Sequence, residues 1–455
     1  IYAYDNMGRL LSAKDPLNYT VSYEYDGVGN KTTEVDPEGK VKTYEYDGNN
    51  RLTKMKDALG NVTQSVYNTE GKLIKQIDQE GRSVTYEYDL DGRLTKTMDG
   101  NGNVTTNEYI DAPGVSCSSC PASSNGLGQP SRIVTPTFLR AYTYDTRGRK
   151  TQEREVLSDT EAYSTQFAYD GVGNLISQTD KENRTTAYQY NELGRRVKVI
   201  DPMGNITEYI YNNRDNVTAV KDAKGNTTTF EYDRNDRLTK ETRPLGHSTM
   251  YQYGAAGNII RKNDAKGQQT ENEYDDAGRL TTTKYFATAN DTTPSKTVTF
   301  TYDKAANLTG YDDGATFATY TYDAVDRRLT ETVNYGIFEL TSSYSYYKNG
   351  LKKSLAMPDG TTYDYIYDNN NKISMISIPE KGFITYNKYK WNMPEAITLP
   401  GGIKKENAYT PLMQPKSMTV KDPGQNPLMT YNYEYSAVGN VKTKNTEHGN
   451  YDYQY

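Results

Sequence analysis

The second tyrosine of a Tyr-x-Tyr motif falls at Tyr4, Tyr25, Tyr46, Tyr67, Tyr88 and Tyr109, a constant step of 21 residues. The register resumes at Tyr144 and Tyr169 and runs by 21 again through Tyr190, Tyr211, Tyr232, Tyr253 and Tyr274. Looser copies follow at Tyr302, Tyr322, Tyr346, Tyr367, Tyr389, Tyr409, Tyr435 and Tyr455. A unit this short cannot bury a core of its own. It gains stability only by stacking on its neighbours, so the period dictates a repeat architecture before any other reading is attempted.

Each unit carries two turn signals. One follows the tyrosine, as in YDGVGN at 25–30, YDLDGR at 88–93 and YDRNDR at 232–237. The other sits about ten residues on, as in DPEGK at 36–40, DALGN at 57–61 and DAKGN at 222–226. Asp and Asn close such turns with their side chains, Pro presets φ and Gly accepts positive φ. Between the turns lie six- or seven-residue segments rich in Thr, Tyr and Val, such as VKTYEY at 41–46, which suit strands. The unit therefore reads strand, turn, strand, turn, and such short turns permit only antiparallel pairing. The expected fold is all-β: tandem ~21-residue hairpins forming one long antiparallel sheet. About forty strands at ~4.8 Å spacing give a ribbon on the order of 190 Å long. Twist of roughly 20° per strand pair must coil it into a spiral, a hollow shell or barrel.

Composition decides against two alternatives. Leu, Ile, Val and Phe make up about 16% of the chain, under the ~20% below which disorder is suspected. The net charge of only -6 and the strict placement of 44 Tyr argue for order instead. Acidic and basic residues, 59 and 53, are interspersed, which excludes the clustered basic surface that nucleic acid requires. No apolar run reaches the ~18 residues of a membrane-spanning helix.

Strand alternation sets the faces. In RSVTYEY at 82–88, Val84, Tyr86 and Tyr88 face one side, with Ser83, Thr85 and Glu87 opposite. In NITEYIY at 205–211, Thr207, Tyr209 and Tyr211 share a side. Neither face is apolar enough for a two-layer sandwich. The tyrosines are expected to stack across hairpins with their hydroxyls available for hydrogen bonds, and the Tyr-Asp pair is expected to be a keystone of the repeat rather than a ligand platform.

Four stretches follow: regular repeats over 1–109, a Cys/Ser/Gly/Pro insertion loop over 110–137, repeats over 138–330 and divergent repeats over 331–455, which hold the sole tryptophan, Trp391. The insertion contains Cys117 and Cys120. This CxxC is open to three readings: a redox pair, half of a zinc site completed from elsewhere, or a local disulfide or two idle thiols. His247 and His448 lie far from it in sequence. Sequons at Asn61, Asn103, Asn205, Asn216 and Asn226 read as by-products of the turn-to-strand junction. Two histidines and no nucleophile elbow, P-loop or HExxH motif leave no catalytic constellation. No catalytic, cofactor-binding or metal-ligating residue is assigned, no cofactor is expected, and the chain is expected not to be an enzyme. It begins and ends within a repeat, so it is read as an internal piece of a longer polypeptide. Its unpaired sheet edges are expected to associate.

YDxxGRL followed by DPxGNxTxYxYD resembles the YD repeat of the Rhs family, which takes in bacterial Rhs polymorphic toxins, Tc-toxin BC-type shells, wall-associated proteins and teneurin-like proteins. The stretch YEYDLDGRLTKTMDGNGNVTTNEY at 86–109 carries the resemblance most fully. It implies a spiralling β-sheet shell. In toxin members that shell encloses a C-terminal toxin domain of the same polypeptide, which implies a secreted or cell-surface setting and a secretion apparatus as a further partner. The alternative it implies is an adhesive array that binds surface glycan. Toxin members also cut themselves at an aspartyl site; DPMG at 201–204 and DPGQ at 422–425 are read as turns, and no protease is transferred to them.

Overall fold

The structure is a computed structural model that describes residues 1–110 and 128–454. Cys117 and Cys120 lie outside the described residues. Among the described residues, 41 strands belong to one unclosed antiparallel sheet, and the helical content is two single turns, Pro244–Gly246 and Pro400–Gly402. Strands pair with their neighbours in sequence. The two joints of a repeat differ. Across the second turn the register is regular: Lys54, Met55 and Lys56 oppose Gln64, Thr63 and Val62. Across the tyrosine turn it slips. Tyr46 opposes Leu52 while Glu45 opposes Lys54, which leaves Thr53 as an extra residue. The same bulge recurs at Thr95, Thr218 and Thr281. A bulge bends its strand and raises the local twist, so the repeat carries one built-in bend every second strand.

The turn chemistry is uniform. In the turn at 89–93, the Asp89 amide donates to the Arg93 carbonyl at 3.0 Å, and the Gly92 amide donates to the Asp89 carbonyl at 3.0 Å. Asp89 Oδ1 accepts the amides of Asp91 and Arg93 at 3.1 and 2.8 Å. Gly92 has φ +74°, and the same left-handed position is filled by Asn50, Asp215, Asp236, Asp326 and Asn371 in other turns. Asn and Asp tolerate that region because their short side chains bond locally.

Two compact units divide the chain: Ile1–Gln64 with Arg195–Lys198 and Ile206–Thr361, and Ser65–Gly194 with Val199–Asn205 and Thr362–Tyr455. Neither is built on a conventional core. Among the described residues the buried apolar side chains are Ala219, Phe286, Ala318, Tyr320 and Tyr409. Within the first unit, Lys40 Nζ pairs with Asp326 at 2.7 Å, and the Lys304 amide donates to Glu38 at 3.0 Å. Within the second, the turns at 78–82 and 99–103 meet the turn at 368–372. In each unit, repeats more than 260 residues apart lie edge to edge, turn against turn.

The strand Pro130–Val134 falls inside the segment expected as an insertion loop. It pairs with Val104–Tyr109 through the usual bulge, Tyr109 opposing Pro130 and Glu108 opposing Arg132. Pro130 and Ser131 take the places that Leu and Thr hold elsewhere, which hid the strand from a reading based on composition.

Candidate functional site: a tyrosine clasp between repeats

The recurring side-chain cluster joins each repeat to the next. The hydroxyl of the second tyrosine donates to the carbonyl that opens the bulged strand of the preceding repeat. Tyr25 reaches Leu10 at 2.9 Å, Tyr88 reaches Leu73 at 2.8 Å, Tyr253 reaches Leu238 at 2.7 Å and Tyr409 reaches Pro394 at 2.8 Å. The bulge disturbs the ladder at that point, and the phenol supplies a donor there. At the bulge itself, the extra threonine donates to the carbonyl opposite: Thr53 to Glu45 at 3.1 Å, Thr95 to Glu87 at 3.1 Å and Thr281 to Glu273 at 3.2 Å.

The turn arginine completes the clasp. Arg149 Nε donates to the carboxylate of its own turn, Asp145, at 2.7 Å. Its Nη1 donates to the Asp170 carbonyl of the next repeat at 3.0 Å, and its guanidinium lies 4.8 Å from the centre of the Tyr169 ring. Arg9, Arg279 and Arg327 repeat the arrangement over Tyr25, Tyr302 and Tyr346. The flat guanidinium suits this triple use: it bonds in its plane and stacks through its face. Hydrogen bonding from Arg51, Arg149 and Arg237 holds the carboxyls of Asp47, Asp145 and Asp233 below the ordinary aspartate range. Asn205 and Asn226 do the same for Asp201 and Asp222. Desolvation pushes the hydroxyls of Tyr88, Tyr253 and Tyr409 up, and that of Tyr389 to about 12.

The hydroxyls expected to be available for hydrogen bonds are used on backbone carbonyls. The expected stacking across hairpins is corrected. The rings are held mainly by cations. Lys31 Nζ, for instance, sits between Tyr23 and Tyr44, 5.5 and 4.7 Å from their centres. Ring stacking is found at Tyr386–Tyr389, Tyr431–Tyr433 and Tyr433–Tyr435. The signal for the clasp was present in the sequence, since the RLT of the repeat supplies the arginine, the carbonyl and the bulge threonine. An alternation rule of period two cannot register a bulge.

The remaining sequence candidates are turn residues. Asp201 and Asp422 cap their own turns, with Asn205 and Asn426 side chains at 2.8 and 2.9 Å. The side-chain amides of Asn61, Asn103, Asn205 and Asn226 bond the carboxylate of their own turn, and that of Asn216 bonds Asp236. The His247 carbonyl closes a turn by accepting the Arg243 amide at 2.8 Å. His448 lies at a hairpin tip, 3.5 Å from Glu447. Trp391 occupies another tip with φ +50°. Among the described residues, no group of three or more His, Cys, Asp or Glu is placed to hold a metal. Among the described residues, no helix is long and apolar enough to cross a membrane.

The RHS Repeat family model matches residues 4–41, 25–62, 67–112, 169–206 and 211–249, and the Teneurin YD-shell model matches 259–455. The chain belongs to the RHS/YD-repeat family. Its fold is that of the family's shells. The crystal structure of TcdB2-TccC3-TEV superposes over 97% of the chain with a TM-score of 0.57 at 14% identity. A Tc holotoxin pore from Photorhabdus luminescens aligns over 98% with a TM-score of 0.47 at 11% identity. The chain spans 29% of the length of each of those structures. No curated protein matches the sequence. The RHS/YD repeat is a structural unit, and the clasp shows what it accomplishes: it joins strand to strand in a sheet that needs no second layer.

Proposed function

We propose that this RHS/YD-repeat chain is wall material of an Rhs-type polymorphic toxin: a non-catalytic shell segment that encloses a C-terminal toxin domain of its parent polypeptide and reaches the outside of the cell with it. One observation carries the reading. The sheet is consolidated sideways, through Tyr–carbonyl and Arg–Tyr contacts between repeats, and buries almost nothing against a second layer. A globular domain or a sandwich spends its apolar residues on a core. A single layer with both faces wetted is what a container needs. The edge-to-edge meeting of distant repeats within each unit supports the same reading, because a ribbon that returns on itself bounds a space.

The test is protease protection in the full parent polypeptide. The segment beyond the repeats is expected to resist digestion while the wall is intact and to be cut rapidly once denaturant loosens it. Rapid digestion of that segment in the native protein overturns the proposal. Specific binding of the folded repeat chain on a glycan array, together with an unprotected segment, would establish the adhesive alternative instead.

A further inference from the structure

Two turns of the second unit depart from the repeat pattern in a matched way. The turn at 99–103 reads DGNGN and the turn at 368–372 reads DNNNK. They meet and exchange side chains. Asn101 Nδ2 donates to Asp368 Oδ2 at 2.8 Å, and Asn370 Nδ2 donates to Asp99 Oδ2 at 2.8 Å. Each aspartate meanwhile uses Oδ1 to cap its own turn: Asp99 accepts the amides of Asn101 and Asn103, and Asp368 those of Asn370 and Lys372. The adjoining turn at 78–82 adds Arg82, bonded to Asn371 Oδ1, and Asp78, which accepts from Asn371 Nδ2 at 3.4 Å.

Gly100 explains why the contact forms here. A Cβ built on it would fall 2.7 Å from the carbonyl carbon of Asn369 and closer still to its oxygen. Its φ is not positive, so the turn itself does not require glycine. The same place in other second turns holds Pro37, Ala58, Pro202 and Ala223. Gly27, Gly48 and Gly171 occupy the corresponding place in tyrosine turns, also without positive φ, and have nothing within 4 Å. The missing side chain at position 100 is thus tied to the approach of the 368–372 turn.

We propose that the turns at 99–103 and 368–372 form a polar latch, one that sets which distant repeats lie edge to edge and that parts without unpairing any strand. The latch consists of side-chain hydrogen bonds between turns, whereas every strand remains held by its own ladder. The inference goes beyond containment and does not depend on what the wall encloses.

The experiment is hydrogen exchange by mass spectrometry on the full chain. Gly100→Ala is expected to raise exchange about tenfold or more in peptides covering 99–103 and 368–372, leaving strands elsewhere unchanged; Gly27→Ala is the silent control. Asn370→Asp sets a carboxylate against Asp99 and is expected to open the same peptides. Adding Asp99→Asn restores an opposite pairing and is expected to recover protection, because Asn68 caps its own turn in this chain as Asp does. Unchanged exchange in both single variants, or no recovery in the double variant, overturns the latch. A protected segment beyond the repeats in the parent protein would leave the wall reading intact even then.

Discussion

The repeats over 138–330 and those over 331–455 solve the same problem with different parts. In the first stretch the tyrosine turn usually carries an aspartate cap, as at Asp145, Asp170, Asp233, Asp275, Asp303 and Asp323. In the second, Asp368 keeps the cap, while Tyr347, Thr410 and Ser436 stand in that place in other turns. The backbone turn survives the exchange: Thr410 and Ser436 amides still donate to Gln414 and Asn440 carbonyls at 2.9 and 2.8 Å. The tyrosine clasp survives as well, from Tyr389 to Ile373 at 2.6 Å and from Tyr435 to Pro415 at 2.7 Å. Even the arginine has a substitute, since Lys390 Nζ donates to the Tyr409 carbonyl at 3.3 Å. The turn cap is replaceable. The phenol that reaches across the bulge is not, because no other side chain combines that reach, a flat apolar body and a terminal donor.

The largest expected effect tests this directly. Tyr253→Ala in the regular stretch and Tyr409→Ala in the divergent one should each cost about 3 kcal/mol, as other large aromatic truncations do. The phenylalanine variants should cost about 1 kcal/mol, the worth of one hydrogen bond. Hydrogen exchange in the flanking strands is the suitable measurement, because tandem repeats need not unfold as one unit. A loss at Tyr409 several-fold smaller than at Tyr253 would show that the divergent stretch relies on something else.

Alkali should strike both stretches together. Desolvation raises the clasp tyrosines Tyr253, Tyr346, Tyr409 and Tyr435, and Tyr389 reaches about 12. Their folded values exceed the unfolded one, so the stability they contribute is complete below pH 10 and is lost as pH rises toward 12. A phenolate, moreover, has no proton to donate. Circular dichroism should show strand signal holding to about pH 10 and then falling in one broad step. A chain still folded above pH 12 would remove the hydroxyl from the account.

Much of this was legible in the sequence and part was not. The period, the two turns, the strands and the antiparallel pairing follow from the spacing of tyrosine and the Asp-Gly turn signals, because those are local and repeated. The bulge is not local: it is a property of two strands at once, and Thr53 reads like any strand threonine until Glu45 is placed opposite it. The contacts between distant turns were invisible for the same reason. Nothing near Gly100 in sequence indicates that Asn369 stands over it.

Acid should separate what alkali does not. Hydrogen bonds from arginine depress the carboxyls of Asp145 and Asp233, each in a tyrosine turn. A depressed folded value means that the stability is present above the unfolded value and is lost as pH falls through the folded one. The tyrosine turns of 138–330 should therefore gain exchange below about pH 4, before the turns at Thr410 and Ser436, which have no proton to take up there. Mutation gives the same ranking. Asp275→Ala should cost about 1 kcal/mol, and Ser436→Ala about half as much. Equal acid sensitivity at the Asp145 and Asp233 turns and at the Thr410 and Ser436 turns would place the weakness elsewhere than in the caps.

The smallest effect concerns the bulge residue. Thr95 donates to the Glu87 carbonyl at 3.1 Å from a half-buried position. In the divergent stretch the same extra position holds Lys353, Lys416 and Lys442, each between a tyrosine-paired residue and the resumed register. The bulge therefore does not depend on the threonine hydroxyl. Backbone pairing on either side, with the tyrosine carbonyl bond, already fixes the extra residue in place. Thr95→Lys should cost no more than about 0.5 kcal/mol, seen as a slight rise in exchange at Glu87 and Lys96. Tyr88 should keep its bond to Leu73. A loss comparable to that of Tyr253→Ala would mean that the hydroxyl, and not the phenol of the next repeat, sets the bend, and the two stretches would then differ in how they curve as well as in how they cap.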